Sequence, residues 1–185
     1  MEGTMKGFKV FLIMMAIIVS AVILVGGYAV MQMNRAIELE EMIMSSLSDI
    51  DVQLQRRSDL IPNLVDCVKA YDAHEYEALM AIASGRGVMS DDACSAIRTS
   101  IHAVAEAYPE LKASENYREL MNELSTTENL IAGYRSNYNK WVRTYRQHVR
   151  GFPNSMILEL LGYGAVDYVY MENTSSSEVP SKLFD

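Results

Sequence analysis

Three histidines, two cysteines and a few charges set on apolar helical stripes are the residues here whose types could do chemistry. His74-Glu75 begins like the zinc helix H-E-x-x-H, which needs a second imidazole four residues on so that both ligands share one face. Position 78 is Ala78, and His102 and His148 are remote in sequence. Cys67 and Cys94 have no close partner Cys or positioned His, so they read as small buried hydrophobes. A disulfide between them stays open if the domain faces an oxidising compartment. The nucleophile-elbow, phosphate-loop and dinucleotide glycine patterns are missing. Spacing therefore points to no catalytic residue, metal site, cofactor or small-molecule substrate, and the chain reads as non-enzymatic.

The more informative set is Arg56, Arg57, Asp59 and Glu75. Arg56 reads as a solvated helix charge and Asp59 as a helix cap. Arg57 and Glu75 fall on the apolar stripe five turns apart, too far to pair with each other. A buried charge without a partner costs several kcal/mol, on the order of 3–5. Each therefore requires an opposite charge from another helix, and Glu128 and Arg135 are the natural candidates. Such a network is expected to fix helix register or subunit contacts.

These residues must be positioned by helices. Ile43, Leu47, Ile50, Leu54, Ile61, Leu64, Val68, Tyr71, Ala78 and Ile82 recur at helical spacing, the stripe of an amphipathic helix. Pro62 lacks an N–H, so a kink or a restart capped by Asp59 is expected there, with helix continuing to about Ser84 and ending at Gly85-Arg86-Gly87. Asp91 and Asp92 start a helix striped by Cys94, Ile97, Ile101, Val104 and Tyr108, stopped by Pro109. After a short loop, 109–113, the longest pattern runs Tyr117, Leu120, Leu124, Thr127, Ile131, Tyr134, Tyr138, Trp141, Tyr145, His148. Its aromatic third, Tyr134, Tyr138, Trp141 and Tyr145, is a bundle core, a contact surface for a second copy, or the lining of a ligand pocket. Asn154 can cap a short apolar helix to Leu161, and Val166–Met171 is left as extended chain.

No charge occurs between Lys9 and Arg35, and the 22 apolar residues Val10–Met31 would make a helix of about 33 Å, enough for a hydrocarbon layer of about 30 Å. A cleaved signal peptide would have a shorter apolar run and a small-residue cleavage site. The expected organisation is a flank at 1–9, a transmembrane helix at 10–33, a helical bundle at 34–162 and an acidic, flexible tail at 163–185. The fold class is all-α, one N-terminal membrane helix followed by long antiparallel helices. Lys6 and Lys9 on one flank, against Arg35 followed by Glu38, Glu40 and Glu41 on the other, favour a cytoplasmic N-terminus and an extracytoplasmic body.

Net charge is −8, and residues 35–185 carry 14 basic against 23 acidic side chains. Such a body is a poor phosphate binder, which excludes nucleic acid as the main partner. The lipid bilayer and further copies of the chain are the expected partners.

Ile50–Glu75, IDVQLQRRSDLIPNLVDCVKAYDAHE, resembles the signature segment of the LemA family of bacterial membrane-anchored helical proteins. YPELKASENYRELMNEL (Tyr108–Leu124), Thr127–Asn129, Arg135, the Tyr138-Asn139 pair and the Phe152–Ser155 run continue the likeness. The chain departs from it at Met33, before Asn34, at Leu47, where Trp is common, and at Arg146. The resemblance implies a bundle of long helices behind one membrane helix of the bacterial inner membrane. It carries no catalytic residue or cofactor, and some similar proteins take part in magnetosome biogenesis and membrane remodelling. A membrane-anchored, self-assembling scaffold is the function expected. An extracytoplasmic sensor or ligand-binding module acting through a partner is the alternative.

Overall fold

The structure is a computed structural model describing residues 2–83 and 89–172, with the side chains of all but 2–7 and 10. The described residues are all-α: α1 Glu2–Val68, α2 Ala73–Ala83, α3 Asp91–Ala107, α4 Pro109–Ala113, α5 Glu115–Arg150 and α6 Asn154–Leu160, with no strand among them. The expected glycine stop at 85–87 and the tail from Asn173 lie outside the described residues. The chain divides into two compact units, 1–43 with 140–169 and 44–139 with 170–185.

In the first unit, α1 begins apolar on every side. From Phe11 to Met31 nearly every side chain is exposed, so none of the described residues covers them. Among the described residues this is the one helix long and apolar enough to cross a membrane, and it fits a single-pass anchor. The pattern changes after Gln32. Ala36, Leu39 and Ile43, three and four residues apart, become buried while their neighbours stay exposed. Val142, Tyr145 and Val149 of α5 and Leu158 of α6 are buried in the same unit. Here α5 runs antiparallel to α1, its Tyr145 meeting Glu40 and its His148 meeting Gln32.

Two glycines shape the turns of this unit. At Gly151 a Cβ would lie 2.6 Å from the Gln147 carbonyl oxygen, a backbone atom that cannot move aside. Gly162 has φ 71°, with its N–H on Glu159 O and the Tyr163 N–H on Leu158 O, the paired bonds of a Schellman turn. That turn ends α6 and sends Tyr163 back towards α1.

The second unit is a helical bundle with a continuous core. Ile61, Leu64, Val65 and Val68 of α1, Leu79 of α2, Cys94, Ile97, Ile101 and Val104 of α3, Leu111 of α4, and Tyr117 and Leu124 of α5 build it. Cys67 and Cys94 are both free thiols, and burial pushes both above the ordinary thiol range.

Several local expectations are corrected. α1 neither restarts at Asp59 nor stops at Pro62 but runs through to Val68. Proline costs a helix interior about 3 kcal/mol. Leu60, Ile61, Leu64, Val65 and Val68 around it are all buried, at roughly 1.5–3 kcal/mol each, and outweigh that cost. Asp59 is exposed, its carboxylate accepting from Gln55 Nε2 at 2.9 Å. The cap lies thirteen residues on: Asp72 Oδ1 accepts the Glu75 N–H at 3.0 Å and starts α2. The chain turns at 69–72, with Tyr71 and Asp72 N–H groups both on Val68 O. α2 is therefore rotated out of the α1 register, burying Leu79 and leaving Ala78 and Ile82 exposed. Residues 109–113 form a short helix because Pro109 sits at its first turn, where a missing N–H costs nothing. Asn154 is the first residue of α6 rather than its cap.

Pro62→Ala should restore one backbone donor in a helix already held by its neighbours. The expected result is a higher urea midpoint for the micelle-solubilised protein, worth on the order of 1 kcal/mol once the unfolded chain's added freedom is counted. A lower midpoint would mean that the chain path needs the proline.

Candidate functional site

Among the described residues, each unit holds a polar cluster built around one carboxylate. In the second unit the centre is Asp91. It is the first residue of α3, set there because Ser90 Oγ accepts the Ala93 N–H at 3.2 Å and begins the helix. Its Oδ1 lies 2.7 Å from Arg57 Nη1 of α1, and its Oδ2 lies 2.8 Å from Arg135 Nη1 of α5. Arg57 is only 5 % exposed. Its Nη2 also donates to Met89 O at 3.1 Å, and the Met89 N–H donates to Ser58 Oγ at 3.3 Å. One carboxylate at a positive helix end thus joins three helices.

In the first unit the centre is Glu40. Its Oε1 accepts Tyr163 Oη at 2.6 Å and Tyr145 Oη at 2.9 Å, and the two phenol oxygens are 3.0 Å apart. Tyr145, wholly buried, also accepts the Val166 N–H at 3.0 Å, and the Tyr168 ring meets it edge-on at 5.4 Å. Beside it, Arg146 and Arg150 each reach Asp167 Oδ1 at 3.0 Å. The segment after α6 is therefore tied to α1 and α5 through phenols, a carboxylate and two guanidinium groups.

A third chain of bonds lies in the same unit. Tyr28 Oη donates to Asn154 Oδ1 at 3.3 Å, and His148 Nε2 bonds to Gln32 O at 2.9 Å. A carbonyl only accepts, so Nε2 carries the proton, and Nδ1 accepts from Asn154 Nδ2 at 3.3 Å.

The structure places the residues singled out in sequence as follows. Arg57 and Arg135 meet on Asp91, not on Glu75 or Glu128. Glu128 instead pairs with Arg98 of α3. Glu75 is half-buried in the first turn of α2, where the helix's positive end favours an acid. Asp59 and Pro62 take the local roles described above. Tyr138 and Tyr145 are buried, which removes them from any surface offered to a second copy. Trp141 is half-buried beneath Lys140, whose Nζ lies 5.4 Å from the ring centre. On α5 the buried positions include Val142 and Val149, which the aromatic stripe missed. Glu40 and Tyr163 had no signal in sequence, being 123 residues apart.

Chemically, the clusters hold groups in place. Burial first, and then the Glu40 carboxylate, pushes the Tyr163 phenol far above its ordinary range; burial does the same for Tyr145. A phenol held neutral is the reverse of what a nucleophile or general base requires. A cavity of about 370 Å³ beside α6 is lined by Val149, Leu158, Glu159 and Tyr163, away from Tyr134, Tyr138 and Trp141.

Removing Asp91 should strand a buried Arg57. Asp91→Ala is expected to destabilise by on the order of 3 kcal/mol, Asp59→Ala by no more than about 0.5. Arg57→Met should recover part of the loss in the Asp91→Ala background, which a double-mutant cycle in denaturant measures. Raised phenol values stabilise the fold fully below the ordinary tyrosine range, near about pH 10, and that stability is lost as pH rises through the folded values. Burial raises the Tyr117 phenol as well, so tyrosine absorbance should show Tyr117, Tyr145 and Tyr163 ionising late, together with loss of helicity. Tyr145→Phe should remove one of these late steps.

Two magnetosome proteins of Paramagnetospirillum magneticum, MamQ 1 and MamQ 2, are each 22 % identical over 192 residues, covering 84 % of this chain and 71 % of theirs. The sequence model of the LemA family matches residues 46–184, which takes in most of α1 beyond the membrane stretch and all of α2 to α6. The chain belongs to the LemA family.

Proposed function

We propose that this chain is a membrane-anchored, non-enzymatic helical protein that self-associates into a scaffold organising the membrane in which it sits. The observation that carries the reading is α1 itself. The helix that presents apolar side chains on every side from Phe11 to Met31 goes on, without a break, to supply Leu39 and Ile43 to one core and Ile61, Leu64 and Val68 to another. Within the first unit the apolar stretch and a packing element are thus parts of one helix.

Self-association is supported by apolar side chains that the second unit leaves uncovered. Met44 and Val52 lie eight residues apart along α1 and are exposed on either side of exposed Ser48. A row of this kind suits a helix–helix seam of coiled-coil type. The relatives' names associate them with the magnetosome, which suits a role in organising a membrane compartment. Two basic residues before the anchor against one just after it favour a bacterial inner-membrane protein with its body outside the cytoplasm. The sensor reading has less behind it, because Tyr138 and Tyr145, two of its four lining candidates, are taken up by packing.

Crosslinking and mass measurement in mild detergent test the proposal. An oligomer is expected, with Met44→Glu and Val52→Glu together weakening it by at least about tenfold, the effect of desolvating two charges. A strict monomer at every concentration overturns the reading.

A further inference from the structure

The unit that contains the anchor has a second apolar surface. Phe152, in the turn before α6, is 82 % exposed, and Met156 and Leu160 are 64 % and 88 % exposed. Met156 and Leu160 are four residues apart and so lie on one face of α6. Leu158, the buried residue of that helix, lies on the other side. The face turned away from the protein body thus centres on Met156 and Leu160, with exposed Glu159 at its edge, where a helix exposed to water would carry polar residues throughout.

The position of α6 relative to the anchor says what covers it. Asn154, its first residue, bonds to Tyr28, three residues inside the end of the apolar run at Met31. His148, just before the turn, bonds to the Gln32 carbonyl, at the first polar residue beyond that run. Tyrosine at this depth is the usual interfacial residue of a membrane helix. The headgroup layer adds roughly 5–7 Å beyond the hydrocarbon on each side, and a seven-residue helix is only about 10 Å long. Even if α6 pointed straight away from the bilayer, Leu160 would stay within or close to the headgroups, and Phe152 and Met156 would lie deeper.

We infer that Phe152 and the Met156–Leu160 face of α6 insert into the interfacial layer of the same bilayer that holds the anchor, giving the protein a second, monotopic contact with lipid. This rests on the anchor reading, from which it extends the lipid-facing surface of α1 to a neighbouring element of the same unit. Two contacts at different points would restrict how α1 tilts and turns. Insertion relies on apolar side chains and needs no anionic lipid, which suits an acidic body.

The test uses the full chain in phosphatidylcholine nanodiscs containing lipid brominated near the headgroup end of its acyl chains. Phe152→Trp and Leu160→Trp, each in a Trp141→Phe background, replace exposed side chains, and unfolding temperature checks that each is folded. Bromine should quench both by at least about threefold more than it quenches native Trp141, which lies about two helical turns further from the α5–α6 turn. Equal or weaker quenching overturns the proposal. So does shielding from bromolipid accompanied by crosslinking between copies through position 152 or 160, because a second copy would then cover the face. Val19→Trp with mid-chain bromolipid tests the anchor separately. If it is quenched while positions 152 and 160 are not, the anchor stands and this inference alone fails.

Discussion

A single helix that carries two side-chain patterns, one fit for hydrocarbon and one for packing against other helices, governs this protein. Where α1 is apolar all round, Phe11–Met31, every backbone polar group is met within the helix, as hydrocarbon demands, and the side chains need no protein partner. From Ala36 onward the same backbone carries a one-sided stripe, which makes sense only against other helices in water. The change of solvent is thus written as a change in side-chain pattern with no change in secondary structure. Gln32 and Arg35 mark the border. Pro62, which would break a free helix, is carried through because its flanking residues are locked in a core.

Two carboxylates that join helices are each shared: Asp91 serves two arginines and Glu40 serves two tyrosines. At the surface the exposed Asp167 likewise serves two arginines. Sharing one acceptor among several donors offsets the desolvation of all of them while joining separate elements. The cost of losing the shared acceptor is correspondingly high, since two donors lose a partner at once.

The chain belongs to the LemA family, and its long apolar N-terminal helix fits a single-pass membrane anchor. The Gly151 turn, the Gly162 turn and the bonds from His148 and Asn154 bring the chain after α5 back to the border residues of α1. That return leaves the apolar side chains of Phe152 and Leu160 exposed in the same unit as the apolar stretch of α1.

The helical class, the anchor and the apolar stripes of α3 and the first part of α5 were readable in the residues alone, because periodicity reports local geometry and burial together. That Arg57 would need an acid was readable for the same reason: a charge on an apolar stripe cannot go unpaired. Which acid it meets was not. Asp91 was visible only as a helix-starting residue, and its choice over Glu128 depends on where α3 begins against α1 and α5. Glu40 and Tyr163, the break of the long helix at Val68 and the passage through Pro62 were likewise settled by tertiary contacts. Local propensities differ by a kilocalorie or a few, whereas burying several side chains together is worth more. The sequence by itself determined the long helices and the buried faces of α3 and the first part of α5; the tertiary structure decided the helix ends, the short α4, the face that α2 buries and the polar partners, because those depend on distances between residues that the chain holds far apart.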